Sequence, residues 1–341
     1  MPISSTHSSK LLIATLVIIG LLGINIGSHT ELFSDVIEQH IFIHLSLPML
    51  ITAILVGSAL AMSSAALQIV LNNPLADPGI IGISSGASLC AGIVIIGGIL
   101  PSSAFIWGLP VACFTGALVS SGLIYVLAKR LALTHSAVIL AGIAISTVCA
   151  AALAWLYIFG DAQATRNLTF WLMGSFQHAS YPILAVAGII ISIGLSALYY
   201  RSGALNSLYL GDVNAQLLGI DPQRLTRIVL VICALLVGVS VSIAGSIAFV
   251  GLLVPHILRR LYGSDNRLII PLSGLVGAGL MLVIVTVNQI LDGVVLPVSL
   301  LTASIGGPIF VWVLFKGHQS SGLHPAMPQT LTTPSSSKGR N

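Results

Sequence analysis

Charged residues are scarce in this sequence: Asp, Glu, Lys and Arg together make up 6% of its 341 residues. A soluble domain typically carries about 25%. Between Asp77 and Lys129 the chain runs for 51 residues without one charged side chain. Five other charge-free stretches occur, at residues 131–160, 167–200, 228–258, 268–291 and 293–315. Because a soluble protein could not cover its surface with so few charges, lipid must solvate most of this chain, which excludes most classes of soluble enzyme.

The apolar stretches are long enough to cross a membrane. The mean hydropathy is +1.05, and a helix needs roughly 18 or more apolar residues to cross a bilayer core about 30 Å thick. In lipid only helices and closed barrels satisfy their backbone polar groups, and long runs without alternation favour helices. The sequence therefore predicts an all-α, polytopic membrane helical bundle. Nine candidate spans lie near residues 11–29, 47–70, 82–99, 105–128, 136–158, 182–200, 228–247, 268–290 and 299–316.

The region between Arg227 and Arg259 predicts one further, short helix. Positive residues concentrate on the cytoplasmic side of membrane proteins, so both arginines are placed there. The 31 uncharged residues between them reach only about 46 Å as a helix, too short for two full crossings. A full helix at 228–247 should therefore be followed by a short returning helix near 250–261. Three helix breakers are predicted in this region: Gly245, Gly251 and Pro255.

The spans add up to about ten, one of them short, with both termini in the cytoplasm. Of the 13 Lys and Arg residues, this topology leaves only Arg166 outside, so the formal charge of +4 indicates membrane orientation and not nucleic-acid binding. Three acidic residues fall in the first external loop: Glu31, Asp35 and Glu38. The apolar stretch after Lys10 is too long for a signal peptide and predicts a retained span. The transmembrane domain covers residues 1–316, and residues 317–341 are predicted to form a disordered cytoplasmic tail.

The sequence lacks the patterns that would mark a catalytic, metal or cofactor site. Ion-driven carriers usually place ionisable residues inside their spans. Here the aspartates fall at predicted span ends or in loops: Asp77, Asp161, Asp212, Asp221, Asp265 and Asp292. His256 has no second histidine at metal-ligand spacing and the four cysteines are scattered singly, so we interpret all five as packing residues. There is also no phosphate-binding loop. We predict no catalytic residue, metal or cofactor, and any uphill transport would draw its energy from another polypeptide.

The longest polar cytoplasmic stretch, about residues 208–224, predicts a short helix followed by a turn and a second helix. Asp212 is predicted to cap the first helix, Gly219 to stop it, and Pro222 to begin the next. The apolar positions of the first helix are spaced near i, i+4: Val213, Leu217 and Leu218. A rigid motif at the membrane surface could transmit a push from a partner. An ordinary amphipathic connector fits the same periodicity equally well.

Four ordered blocks of the sequence resemble the FecCD family, the permeases of bacterial ABC importers for iron chelates, haem and cobalamin. The blocks are Asn73-Pro74-Leu75-Ala76-Asp77-Pro78-Gly79 after the second span, Gly211-Asp212 with Ala215 and Leu218-Gly219-Ile220, residues 244–257, and Leu296-Pro297-Val298 with residues 305–310. The resemblance covers roughly residues 40–317. Four blocks in the right order are far more specific than any one of them.

The resemblance implies a type II ABC importer permease fold that works as a homodimer in the bacterial inner membrane. It implies two ATP-binding-cassette ATPase subunits on the cytoplasmic side and a periplasmic or lipoprotein substrate-binding protein outside. The ATPase would contact Gly211, Asp212, Ala215, Leu218, Gly219 and Ile220. The loop Thr134-His135-Ser136 would lie near the cytoplasmic gate. A structural role is implied for Asn73, Pro74, Asp77, Pro78, Gly79, Gly251, Pro255 and His256.

The sequence departs from the family at the implied docking surface. The family usually has arginines flanking a Leu-Pro pair at the external start of the second span, where this chain has Ser46 and Met49 around Leu47-Pro48. An acid that the family has near the last external loop is replaced by Val295. Either the binding protein has changed in step, or docking is weaker here.

The cargo is predicted from the segment between the fifth and sixth spans. Its pattern Leu168-Thr169-Phe170-Trp171, followed by Met173-Gly174-Ser175, looks more like members that carry haem or ferric siderophores. Cobalamin members are the alternative, and Phe310-Val311-Trp312 would suit them. We interpret Phe170, Trp171 and Met173 as anchors at the membrane surface. From the residues alone, an ATP-independent channel or facilitator and an interaction scaffold stay open as other functions.

Overall fold

The computed structural model describes residues 10, 13–15, 17–18, 20–22, 36–79, 81–131, 135–177, 180–290 and 296–321. Those residues form helices joined by short turns, and none of them is in a β-strand. The predicted all-α fold is therefore confirmed. The first predicted span at 11–29 lies largely outside the described residues, and Glu31, Asp35 and Asp292 lie outside them altogether.

The helices of the described residues are α1 (Val36–Ile41), α2 (Leu47–Val70), α3 (Ile83–Gly97), α4 (Ser102–Arg130), α5 (His135–Phe159), α6 (Ala162–Leu172), α7 (Tyr181–Tyr209), α8 (Asp212–Leu217), α9 (Pro222–Ala244), α10 (Val250–Tyr262), α11 (Asn266–Ile290) and α12 (Val298–Ser321). A π-helical turn, Phe42–Ser46, joins α1 directly to α2. Within the described part of the chain, six helices are long and apolar enough to cross a membrane: α2 with the end of α1 and the turn before it, α4, α5, α7, α9 and α11. Shorter apolar helical stretches lie in α3, in α12 and among the described residues of 13–22.

The predicted spans agree with these helices, and α10 is the short returning helix predicted near 250–261. The six clear crossings and the shorter helices of the described residues do not determine whether the number of membrane spans is the predicted ten. One boundary differs from the prediction at the C-terminal end. Because α12 continues to Ser321, residues 317–321 are helical, and the rest of the predicted tail, residues 322–341, lies outside the described residues.

At the reversal between α9 and α10, one of the three predicted helix breakers, Gly245, is confirmed and the other two are not. Gly245 and Phe249 make this turn, with positive φ angles of 72° and 69°, and α9 already ends at Ala244. The prediction that Gly251 and Pro255 break the helix is wrong, because both lie inside α10. A glycine is needed at position 251 for close contact with α2 and not for a turn, as described below.

Hydrogen bonds tie the turn between α9 and α10 to two distant segments, and we name this arrangement the backbone junction. It consists of residues 173–175, 244–246 and 298–299. The N–H of Ser175 donates to the carbonyl oxygen of Ala244 at 2.9 Å, and the hydroxyl of Ser299 donates to the backbone carbonyl oxygen of Ser246 at 2.6 Å. The N–H groups of Val298 and Ser299 donate to Gly174 and Met173 at 3.1 and 3.0 Å. The junction satisfies backbone groups that lipid cannot satisfy.

Helix α6 is absent from the predicted spans. Its residues include Arg166 and several polar side chains, so no long apolar run marks it. The helix starts where the carboxylate of Asp161 accepts a hydrogen bond from the N–H of Ala164 at 2.7 Å, a standard N-cap. A search for capping residues and helical periodicity would have found this helix, whereas a search for apolar runs does not.

Helix α2 lies at the centre of the bundle. Every residue of α2 from Ala59 to Val70 is buried, as expected for a helix that is packed on all sides. It crosses α11 at two facing glycines. A Cβ atom added to Gly57 would lie 2.4 Å from the carbonyl oxygen of Gly277, and one added to Gly277 would lie 2.3 Å from that of Gly57. The two helix backbones are therefore in direct contact, as small residues allow in membrane bundles.

Candidate functional site

The predicted polar stretch forms a short helix, α8, which begins differently from the prediction. Gly211 occupies the N-cap position with a φ of 109°, and no side chain caps the helix. The prediction that Asp212 is the N-cap is wrong, because the chain turns one residue earlier and Asp212 is the first helical residue. Its carboxylate still lies in the first turn, where the helix dipole favours negative charge.

Gly219 ends α8 as predicted. It has a φ of 77°, and its N–H donates to the carbonyl oxygen of Gln216 at 2.9 Å, while the N–H of Ile220 donates to that of Ala215 at 3.0 Å. These two bonds form a Schellman motif, which favours glycine at the left-handed position. The next helix, α9, then begins at Pro222, and the carboxylate of Asp221 caps it by accepting from the N–H groups of Gln223 and Arg224 at 2.9 and 3.1 Å.

Helix α8 turns large apolar side chains outward. Val213, Leu217 and Leu218 are 69%, 80% and 65% exposed, whereas Ala215 is fully buried. Gly211, Asp212 and Gly219 are also exposed, and Ile220 is half-buried. The side chain of Ala215 therefore anchors the helix to the bundle, and the apolar residues around it form a surface without a partner inside this chain. Such a small, rigid apolar surface is suited to docking another protein.

A second group of predicted residues forms the turn between α2 and α3. The side chain of Asn73 accepts a hydrogen bond from the N–H of Leu75 at 2.9 Å, and the carboxylate of Asp77 accepts one from the N–H of Gly79 at 3.0 Å. Both are local turns in which Asn or Asp replaces a backbone acceptor. Each turn also contains a proline, Pro74 after Asn73 and Pro78 after Asp77. The turns and the prolines together give the segment a fixed shape.

This turn reaches the beginning of α10, which joins two of the predicted motifs. A Cβ atom added to Gly251 would lie 1.9 Å from the hydroxyl oxygen of Ser64 and 2.6 Å from a carboxylate oxygen of Asp77. A residue larger than glycine at position 251 would have to displace the side chains of Ser64 and Asp77. Asp77 and Gly251, predicted separately as structural residues, are therefore in contact.

The position of Asp77 perturbs its ionisation. Burial raises the pKa of this carboxyl group to about 6, and the hydrogen bond from the N–H of Gly79 only partly opposes the shift. Burial has this effect because it disfavours the charged form. Since the folded protein holds this proton more tightly than the unfolded chain does, stability should fall as the pH rises from about 4 to about 6.

Replacing Asp77 with Asn should remove this pH dependence. Asn can accept the same hydrogen bond without a charge, so we expect Asp77→Asn to melt at a higher temperature than the wild type at pH 8 and at the same temperature at pH 4. The measurement is thermal unfolding of detergent-solubilised protein across this range. Asp221→Asn, at an exposed helix cap, is the matched control. Parallel melting curves for wild type and Asp77→Asn would contradict the assignment.

Comparison with known proteins places this arrangement in a family. The model of the FecCD transport family matches residues 10–316. The vitamin B12 import system permease protein BtuC of Vibrio parahaemolyticus is 36% identical over 84% of this chain and 86% of its own. The hemin transport system permease protein HmuU of Yersinia pestis is 37% identical over 81% of this chain and 84% of its own.

The chain belongs to the FecCD transport family. A solved structure agrees: a transporter described as of the metal-chelate ABC type, in an inward-facing conformation, matches with a TM-score of 0.82 and 30% identity, covering 90% of this chain and 98% of its own. The protein is thus the membrane-spanning permease subunit of an ABC importer, a multi-pass protein of the inner membrane. Permease subunits of ABC importers are not themselves enzymes.

In this FecCD-family chain, α10 also contacts α12 through an aromatic pair. The ring of His256 meets that of Phe310 edge-on, with 6.0 Å between centroids. Gly306 lies one helical turn before Phe310 in α12. A Cβ atom added to Gly306 would lie 2.9 Å from the Cβ atom of Phe249. His256 is half-buried, so it packs between two helices, as the sequence predicts. Pro255, beside it, is buried inside α10.

The residues predicted near the cytoplasmic gate can be placed only in part. Thr134 and the side chain of His135 lie outside what the structure describes, while Ser136 is exposed in the first turn of α5. Within the described residues, no group of three or more His, Cys, Asp and Glu side chains lies close enough to hold a metal ion. Cys113, Cys149 and Cys233 are buried, in keeping with the predicted packing role.

Sequence reasoning missed an apolar cavity of about 470 Å³ beside α6. Its apolar lining includes Phe105, Leu109, Phe170, Trp171, Ile183 and Ile243, and its polar lining includes Asn167, Ser175 and Ser242. Phe170 and Trp171, interpreted above as membrane anchors, thus also line this cavity. Because the lining comes from five helices, no local sequence pattern could have indicated it.

Proposed function

We propose that this FecCD-family permease imports an iron chelate, either haem or a ferric siderophore, and that α8 is its contact with the ATPase. The single observation that carries the ATPase contact is the exposed apolar surface of α8 over the buried anchor Ala215. An ATPase subunit would bind the exposed Gly211, Asp212, Leu218 and Gly219 with the half-buried Ile220. Ala215, also predicted as a contact, is fully buried and would serve as the anchor beneath them. ATP hydrolysis on the two ATPase subunits would supply the energy of transport.

We also propose that the permease works as a homodimer of two copies of this chain. Helix α5 leaves a row of large apolar side chains exposed along its length: Leu140, Ile143, Val148, Trp155 and Phe159. In a membrane bundle such a face contacts lipid or another protein. Because lipid is as apolar as these side chains, association of two such faces is driven by close packing and not by the hydrophobic effect. We assign this face to a homodimer, with the remaining apolar surfaces in contact with membrane lipid.

The proposed orientation follows from the positive-inside rule. Lys129 and Arg130 end α4, and Arg259 and Arg260 lie near the end of α10, so these ends are placed in the cytoplasm. Both termini, α8 and the predicted gate around Thr134, His135 and Ser136 then share the cytoplasmic side. A periplasmic or lipoprotein substrate-binding protein would dock at the opposite end, beside α6.

Cobalamin is the second candidate cargo, because similar proteins bear both names: one is a vitamin B12 permease at 36% identity and another a hemin permease at 37%. The segment from Leu168 to Ser175 favours haem or a ferric chelate by resemblance. The uncharged spans would suit any large ligand, so cargo has to be decided by measurement.

The test is reconstitution of the chain in liposomes with its ATPase and binding protein. We expect ATP-dependent uptake of haemin or a ferric siderophore, and uptake of cobalamin alone would select the second candidate. The control is the chain without its ATPase. Passive uptake by the lone chain would overturn the proposal in favour of a facilitator.

A further inference from the structure

Arg259, near the end of α10, holds several helices together through its planar guanidinium. One nitrogen, Nη1, donates to the side-chain oxygen of Asn266 at 2.6 Å. The other, Nη2, donates to the backbone carbonyl oxygen of Ala65 at 3.1 Å. Ala65 belongs to the fully buried part of α2 and Asn266 begins α11. One side chain therefore connects α10 to both α2 and α11.

The same side chain contacts the end of α7. The guanidinium carbon of Arg259 lies 5.6 Å from the centre of the Tyr209 ring, within the range of a cation–π interaction. The hydroxyl of Tyr209 donates to that of Ser264 at 3.3 Å. The side-chain oxygen of Asn206 accepts from the N–H of Asn266 at 2.8 Å. We name Asn206, Tyr209, Arg259, Ser264 and Asn266 the Arg259 cluster.

The cluster adjoins α8 along the chain, because it includes the last residue of α7. Tyr209 is the last residue of α7, and Gly211, two residues later, is the N-cap of α8. The side chain of Asn214 in α8 donates back to the carbonyl oxygen of Leu210 at 2.6 Å. The turn between α7 and α8 is thus held on one side by Asn214 and on the other by the Arg259 cluster, so displacement of α8 acts on Arg259.

Helix α10 connects Arg259 to residues of α2, of the turn after α2 and of α12. Its C-terminal part carries Arg259, its first turn contacts Ser64 and Asp77 through Gly251, and the residue before it, Phe249, meets Gly306 of α12. Coupling in proteins is carried by such chains of packed side chains and rigid helices. A short helix fixed at both ends can transmit movement as one body.

We propose that Arg259 is the positioning residue that transmits displacement of α8 to α2 and α10 during transport. The inference deepens the proposed function and rests on α8 being the ATPase contact. The guanidinium is suited to this role because its planar fork bonds two acceptors at once while stacking on an aromatic ring, which the ammonium group of Lys cannot do.

The first test uses the purified permease alone and does not depend on any cargo. Hydrogen exchange of the backbone N–H groups of residues 210–220 is compared between wild type, Arg259→Met and Arg260→Met. Arg260 is the matched control because it is the next residue of α10 and is exposed. We expect exchange to be about fivefold or more faster in Arg259→Met only. Equal exchange in all three proteins would overturn the inference.

The second test measures molecules imported per ATP hydrolysed in the reconstituted importer. We expect Arg259→Met to keep basal ATP hydrolysis but to lower this ratio about fivefold or more, and Arg259→Lys to be intermediate. If Arg259 had a purely structural role, Arg259→Met would assemble less and melt at a lower temperature, but the assembled importer would still import the wild-type number of molecules per ATP hydrolysed. That result would count against the inference. If Arg259→Met does not assemble, Tyr209→Leu removes the same contact by replacing the aromatic ring. An unchanged number of molecules imported per ATP hydrolysed in Tyr209→Leu would also overturn the inference.

The two failures can be told apart. An absence of ATP-driven uptake in the wild type would count against the proposed function, and the exchange experiment would still decide whether Arg259 holds α8. A normal ratio in Arg259→Met beside an active wild type would count against this inference alone.

Discussion

Replacing Gly219 with Pro is expected to abolish ATP-driven uptake while the helices remain inserted in the membrane. Gly219 has a φ of 77° and its N–H donates to the carbonyl oxygen of Gln216. Proline fixes φ near −65° and has no N–H, so the turn that ends α8 could not form. The local cost is about 3 kcal/mol or more, enough to displace the short α8 from its place without unfolding the long spans.

Uptake and ATP hydrolysis in proteoliposomes measure this effect, and we expect uptake to fall at least about tenfold. Gly219→Asn is the matched control at the same position, because Asn tolerates the left-handed conformation and keeps the N–H. It should retain most of the activity. Wild-type uptake in Gly219→Pro would show that the shape of α8 is not needed for coupling.

Replacing Gly57 with Leu is expected to prevent assembly of the bundle itself. Even one added carbon would lie 2.4 Å from the carbonyl oxygen of Gly277 and 2.6 Å from Cγ of Met281. Since the contact is with backbone, α2 and α11 would have to separate, and overpacking of this kind costs about 1–3 kcal/mol or more. Because α2 is packed on all sides, the change should disturb several helix pairs at once.

The measurement is the yield of monodisperse detergent-solubilised protein together with its melting temperature. Gly122→Leu in α4 is the matched control, because Gly122 is exposed and a Cβ atom there meets nothing within 4 Å. It should behave like the wild type. Equal yield and melting temperature for Gly57→Leu and Gly122→Leu would disprove the close crossing of α2 and α11.

Most of the fold could be predicted because membrane insertion leaves a simple signal, the absence of charge over 20 or so residues. The number of residues between Arg227 and Arg259 predicted α10, because it is too small for two full crossings. What failed has a physical reason in each case. Helix α6 carries charge and has no apolar run, and the role of Gly251 depends on Ser64 and Asp77, which approach it only in the folded bundle.

The candidate site could be predicted where local backbone chemistry decides it. Gly219 ends α8 and Pro222 begins α9, and both follow from capping rules. The cap at Gly211 was missed because Asp212 is itself a common capping residue. Contacts between distant segments, such as Arg259 with Ala65 and Tyr209, leave no pattern in a single sequence.

The backbone junction has a consequence for the biogenesis of this protein. Its hydrogen bonds join residues 173–175 and 244–246 to residues 298–299, and the last of these are synthesised long after the others. Until the ribosome has delivered the start of α12, the carbonyl oxygens of Met173, Gly174 and Ser246 lack their final donors. The turn after α9 must therefore wait, partly hydrated or shielded by the insertion machinery, for the final helix to arrive.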